Sequence, residues 1–171
     1  MSGNTPRRGG LTRSGSGPAA GRRGGHLAMA AATLPIEAWS EDEGALAVVS
    51  PRPDALVLFN PVYDNGPDGG YAHGRVAGRW AEFSPAHNLH AGMPPTLVLL
   101  GDRDRLIPVA TAERVRDEMT GLGVRSELIV YPGQEHGFFN RGRDGGVMYE
   151  KTEAAMDGFL VSLGWLAPAG G

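Results

Sequence analysis

Three short apolar runs constrain this chain more than any other feature: Asp54 to Asn60 (DALVLFN), Thr96 to Leu100 (TLVLL) and Glu127 to Tyr131 (ELIVY). In the first two, a continuous apolar run without polar alternation suits a strand covered on both faces, and the third reads as a further strand. Between the second and third runs, Ala112, Val115, Met119 and Leu122 recur at helical spacing and end at Gly121 and Gly123. After the third, Met156, Phe159, Leu160 and Leu163 mark the apolar stripe of a final helix stopped by Gly164, with Pro168 beyond it. His26 to Thr33 is a short Ala-rich helix former, and Trp80 to His87 reads as a short helix or ordered loop. Asp64-Asn65-Gly66 and Pro67-Asp68-Gly69-Gly70 are turn chemistry. Strands alternating with helices predict the α/β class, a parallel sheet flanked by helices. The length, 171 residues, is about one domain's worth.

Composition narrows the chemistry. The absence of cysteine removes disulfides, thiolate metal sites and cysteine nucleophiles together. No apolar run approaches the ~20 residues of a membrane helix. The net charge of -3 is uneven, because residues 1–25 hold 8 glycines, 5 arginines and no Asp or Glu. The remaining body is acidic, which argues against nucleic acid as a partner. Residues 1–23 lack hydrophobic periodicity, with Leu11 the only large aliphatic residue after Met1. That segment is expected to be disordered, since it has too little apolar surface to offset the entropy of ordering. It lacks the apolar core of a signal peptide, which favours a cytoplasmic setting. Its Arg/Ser-rich, acid-free composition only faintly resembles a transit peptide or a basic nucleic-acid arm. The predicted organisation is a tail over 1–23, one domain over 24–166 and a flexible end over 167–171.

In open α/β sheets, chemistry collects beyond the carboxyl ends of the strands. Three segments fall there: Asn60-Pro61-Val62-Tyr63, Gly101 to Pro108, and Pro132 to Phe138. An Asp after one strand and His136 after the next are within reach of each other, which makes available the carboxylate–imidazole half of a nucleophile–His–acid triad. Asp102 and Asp104 are the rival acids. His73, His87 and His90 have neither a helical i, i+4 pairing nor a carboxylate partner, so they read as loop histidines rather than metal ligands. Ser84 before Pro85 reads as a turn-shaping or capping residue, and Asn60-Pro61 as a turn with a capping amide. Trp80, Phe83, Phe138 and Phe139 fit the lining of an acyl or alcohol pocket and fit core packing equally well.

The Gly-x-x-Asp-x-x-Ile-Pro run at 101–108 and the Gly-x-x-His-Gly-Phe run at 133–138 resemble the acid and histidine loops of α/β-hydrolases. The chain is similar in particular to the esterase/lipase group related to acetyl esterases and hormone-sensitive-lipase-like enzymes. The resemblance extends over about residues 24–166 and takes in Gly24-Gly25-His26-Leu27-Ala28, Phe83-Ser84-Pro85 and Leu163-Gly164-Trp165-Leu166. It implies Asp104 as the triad acid, by the Gly-x-x-Asp spacing, and His136 as the general base. Asp102 is then a turn or hydrogen-bonding residue and His26 part of the first turn of the elbow helix. The implied activity is hydrolysis of carboxylic esters of small to medium acyl chains, on a small-molecule substrate and without a cofactor.

The departure lies at the nucleophile. In the family the Gly-Gly-His-Leu-Ala run follows a G-x-S-x-G elbow that presents the serine. Aligned on Gly24 and Gly25, that position is Arg22, and neither Ser14 nor Ser16 stands in such a frame. The chain is therefore expected to be the C-terminal part of a hydrolase domain, with residues 1–23 a mis-started or frame-shifted translation. As it stands it is expected to be a poor enzyme or none, and an inactive hydrolase fragment or interaction remnant is the competing reading. More remotely, Asp102-x-Asp104 after a buried strand resembles the magnesium-binding aspartyl loop of haloacid-dehalogenase-type phosphatases. That family places the loop at its first strand, with Thr or Val where this chain has Leu106.

Overall fold

The apolar runs form neighbouring strands of a parallel sheet in a computed structural model that describes residues 12–13, 20–34 and 52–168. The elements are β1 (Thr12–Arg13), α1 (Ala20–Thr33), β2 (Leu56–Phe59), α2 (His73–Val76), α3 (Trp80–Phe83), β3 (Thr96–Gly101), α4 (Val109–Gly121), β4 (Ser126–Tyr131) and α5 (Val147–Ser162). The strand order is β1-β2-β3-β4, every pair parallel, with Leu56 opposite Thr96 and Thr96 opposite Ser126.

Every residue of β2 and β3 is buried, which is why their sequences show no polar alternation. The pleat divides them by parity. Leu56, Leu58, Val98 and Leu100 pack with Met29 and Ala32 of α1 and with Ala112, Val115 and Met119 of α4. Val57, Phe59, Leu97 and Leu99 pack on the other face with Met156, Phe159 and Leu160 of α5 and with Phe138 and Phe139. Full burial of each such side chain contributes about 1.5–3 kcal/mol, so both helical layers are held by ordinary apolar burial. Leu122 does not belong to the α4 stripe: it is 40% exposed and sits in the closing turn, where Gly123 takes a φ of +79°.

Two elements begin upstream of the expected boundary at residue 24. α1 begins at Ala20, and Thr12–Arg13 pair with Leu56 and Val57. Neither needs apolar side chains. A ladder beside β2 uses backbone groups alone, and a helix is readily extended backward by a turn whose carbonyls accept the next amides. The other residues of the expected 1–23 tail, including Ser14 and Ser16, lie outside the described residues, as do 169–171 of the expected flexible end.

The loops after β3 and β4 are joined backbone to backbone. The Asp102 amide donates to the Tyr131 carbonyl (3.2 Å) and the Arg103 amide to the Gln134 carbonyl (2.9 Å). The Asp102 carboxylate accepts the Gly133 amide (2.6 Å). Gly101 makes this approach available, because a Cβ there would lie 2.7 Å from the Gln134 carbonyl carbon and closer still to its oxygen. At the other end of the site, α1 rests on the turn after β2. A Cβ at Gly25 would lie 3.0 Å from the Pro61 Cα, and the His26 Nδ1 meets the Val62 carbonyl at 3.1 Å. Burial holds the His26 imidazole below its ordinary pKa, with the Val62 hydrogen bond pulling the other way.

Two outcomes follow. Gly101→Ala forces the two loops apart and lowers stability by about 1–3 kcal/mol, as overpacking does elsewhere; equilibrium urea unfolding measures it, and an unchanged midpoint would show that the loops are not clamped here. For His26 the unfolded chain takes up the proton first, as the pH falls below about 6.5. The stability contributed by the neutral imidazole is therefore intact above that pH and declines as the pH falls toward the folded-state pKa. His26→Gln is expected to flatten the urea midpoint against pH in that window; an unaltered slope would rule out this account.

Candidate active site

The ends of β2, β3 and β4 each deliver one polar side chain to a common point. Asp104 lies three residues beyond Gly101, in a turn that its own carboxylate organises: Oδ1 accepts the amides of Leu106 (2.8 Å) and Ile107 (3.3 Å). Ile107 is buried in the core, which anchors the loop, and Pro108 directly precedes α4. His136 follows β4, and its Nδ1 lies 2.7 Å from Asp104 Oδ2. Asn60 ends β2 and donates from Nδ2 to the same Oδ2. The three groups are far apart in sequence, with 32 residues between Asp104 and His136 and 44 between Asn60 and Asp104.

The acid side chain is wholly buried and that of His136 is 17% exposed. Burial alone pushes the Asp104 carboxyl up. The hydrogen bonds from His136, the Leu106 amide and the Asn60 amide, together with the charge of His136, outweigh it and hold the group below the usual carboxylate value. A carboxylate can only accept, so the imidazole donates Nδ1–H and its Nε2 is left with the lone pair. Nε2 has no hydrogen-bond partner among the described residues. His136 lines an open cavity of about 230 Å³ with Arg103, Arg105, Leu106 and Glu135. The arrangement suits an imidazole that takes a proton at Nε2 while its other nitrogen is held by a buried anion.

The structure thus brings together Asp104 and His136 and separates Asp102 from both, since the Asp102 carboxylate serves Gly133. That engagement also parts the two carboxylates of the Asp102-x-Asp104 run. Among the described residues no group of three His, Asp or Glu side chains is placed to hold a metal ion. His73 contacts the Asn65 carbonyl (2.9 Å) and His90 the Ala32 carbonyl (3.2 Å).

Ser84, His87 and Asp64 form a second Ser–His–Asp grouping, but not a triad. Ser84 Oγ is 2.8 Å from His87 Nδ1, and Asp64 Oδ1 is 4.0 Å from that same nitrogen. A triad uses opposite ring nitrogens for acid and nucleophile. Ser84 is wholly buried, accepts the Asn65 amide (2.9 Å) and makes no capping bond, while Asp64 is engaged by Arg114 (2.5 Å). Phe138 and Phe139 are core residues against Tyr131 and Phe59. Trp80 packs edge-on to His87, and Phe83 lies half-exposed under Arg79. None of the four aromatic residues lines the His136 cavity. Arg22 falls within α1, and Ser14 and Ser16 lie outside the described residues.

The residue that sequence reasoning passed over is Asn60, read there as a capping amide. Its signal was position alone: a polar residue ending an apolar strand at the edge where the other two loops converge.

Comparison with known proteins bears on the family and the fold. Residues 72–169, which include Asp104 and His136, match the dienelactone hydrolase family. A Salmonella typhimurium protein assigned as a carboxymethylenebutenolidase is 30% identical over 102 residues, covering 58% of this chain and 36% of that protein. Among solved structures, the propionate-bound esterase Est2 of Thermogutta terrifontis is 36% identical with a TM-score of 0.75, covering 88% of this chain and 56% of that one. The same esterase phosphorylated by paraoxon aligns at 34% identity with a TM-score of 0.74, covering 86% and 54%. The chain thus spans little more than half the length of this esterase and about a third of the curated relative. A parallel sheet whose last two loops deliver an acid and a histidine to one rim, with the sequence match running across both, places the chain in the dienelactone hydrolase family.

Proposed function

We propose that this chain carries the acid–base couple of a carboxylic ester hydrolase acting on small to medium acyl groups. The observation behind the reading is the 2.7 Å contact between buried Asp104 and partly exposed His136, which lines an open cavity and whose Nε2 has no partner among the described residues. In the reaction His136 takes a proton from the attacking hydroxyl at Nε2 and returns it to the leaving alcohol. Asp104 holds the ring in the tautomer that allows this and stabilises the imidazolium that forms between the two steps. The structures of Thermogutta terrifontis Est2 support a short acyl group, since that one esterase has been solved with propionate and with butyrate. The loop motifs support kinship with the acetyl-esterase-like group within the wider fold.

The attacking hydroxyl is the open part of the proposal. Arg22 stands where the resemblance puts the serine. Without a serine, His136 can act only as a general base on water, and a positioned base contributes roughly 10²–10⁴-fold. The idle-fragment reading draws on the same observation.

Assays of p-nitrophenyl acetate, butyrate and decanoate with a fluorophosphonate label separate these readings. Weak turnover is expected, favouring the short esters, abolished by His136→Ala and reduced by Asp104→Asn, with no covalent adduct. A rate equal to that of His136→Ala would make the couple idle and leave the inactive-fragment reading. A fluorophosphonate adduct that depends on His136 would show that a serine of this chain completes the triad.

A further inference from the structure

Asn60 has more built into it than a strand-ending turn requires. It is wholly buried, its backbone amide donates to the Leu99 carbonyl (2.9 Å), and its φ of +45° lies in the left-handed region that non-glycine residues seldom adopt. Its side-chain Nδ2 donates to Asp104 Oδ2, the oxygen that also receives His136. Its Oδ1 is buried with no hydrogen-bond partner among the described residues. Only the nitrogen can face a carboxylate oxygen, which fixes the amide's orientation even at the expense of an unsatisfied Oδ1. Glycine would give the same backbone turn with no strain and no orphaned acceptor. Both penalties are tolerated for one contact, and that contact is to the acid.

We infer that Asn60 is a positioning residue of the acid–base couple, its amide fixing the Asp104 carboxylate so that Oδ2 is aimed at His136 Nδ1. The inference rests on the reading of Asp104 and His136 as that couple. The carboxylate is pinned at both oxygens: Oδ1 by the Leu106 and Ile107 amides of its own loop, Oδ2 by an amide from β2. Rotation about the Cβ–Cγ bond would break bonds on both sides. The amide also favours the ionised carboxylate over the protonated acid, so Asp104 stays the acceptor when the imidazole is charged. Among the described residues, the charged groups Arg103, Arg105 and Glu135 share the cavity with His136, while Asp102 is turned to Gly133.

The test uses the full chain with ¹⁵N-labelled histidine and follows the His136 Nδ1–H proton by NMR. The unmodified protein is expected to show a downfield, slowly exchanging resonance that Asp104→Ala removes. Asn60→Gly keeps the backbone turn and deletes the amide. Its resonance is expected to move upfield and to exchange at least about tenfold faster, the loss of one hydrogen bond to a charged acceptor, while the thermal midpoint shows the fold intact. Asn60→Asp replaces the donor with a titratable group. Its resonance is expected to weaken in alkaline buffer, where both carboxylates are ionised, and to recover on acidification, when one proton is shared between them; the glycine variant has no such recovery. A residue needed only for its backbone shape would leave the resonance unchanged in both variants, and that result would overturn the inference while the couple stands. A resonance missing from the unmodified chain, or indifferent to Asp104→Ala, would overturn the couple itself and the role of Asn60 with it.

Discussion

A carboxylate with no exposed side-chain surface must be surrounded by donors, and the rim of this sheet is organised by that requirement. Moving an ion of that kind out of water without partners is penalised by several kcal/mol even after the protein relaxes. Asp104 meets the demand with donors from three directions: two amides of its own loop, an imidazole from the loop after β4 and an amide from the end of β2. Since β2, β3 and β4 are consecutive in the sheet, the three strand ends are bound to one another through a single side chain. The Asp102–Gly133 and Arg103–Gln134 hydrogen bonds repeat the connection at the backbone level. Loss of any one donor would leave the others holding a charge they no longer balance.

The motif at 101–108 reads differently once its atoms are placed. Each fixed residue answers a separate physical demand. Gly101 lets the β4 loop approach, Asp104 accepts the turn's own amides, Ile107 fastens the loop into the core, and Pro108 sets the chain for α4. This explains how a short, individually weak pattern can signal a site: Arg103 and Arg105 between the fixed residues are exposed, while each fixed residue meets a separate demand. Asp102 and Asp104 look interchangeable as letters. The loop separates them, turning one outward onto a backbone amide and the other inward onto an imidazole.

The layers of the fold were legible because burial on two faces leaves a continuous apolar run, as in Leu56–Phe59 and Thr96–Leu100, and burial on one face leaves a helical stripe, as in Ala112, Val115 and Met119. Elements made by backbone pairing alone were not legible. Thr12–Arg13 and the first turn of α1 carry no apolar signature, and α2 buries no residue. The pairing of Asp104 with His136 was legible through the spacing of their loops. Asn60 escaped because its value depends on a φ and a partner 44 residues away, neither of which a local pattern records. Phe138 and Phe139 were ambiguous for a related reason: the sequence places them beside the histidine, and only the turn at Gly137 (φ +78°) sends them into the core instead of the cavity.

The contrast in burial between the two members of the couple bears on what they can do together. Water competes for hydrogen bonds, so an exposed carboxylate would share its lone pairs with solvent and leave the imidazole free to turn. Enclosing Asp104 completely removes that competition and strengthens each remaining bond in a medium of lower effective dielectric. His136 needs the opposite: one nitrogen must stay in the dry contact while the other reaches an open space where a proton can be exchanged. A side chain 17% exposed at the edge of a cavity, bonded on its inner side to one with no exposure, meets both needs. Two fully buried partners would lock the proton between them and two exposed ones would hardly attract, so the proton transfer at Nε2 proposed above calls for a pair that straddles the boundary of the core, as this one does.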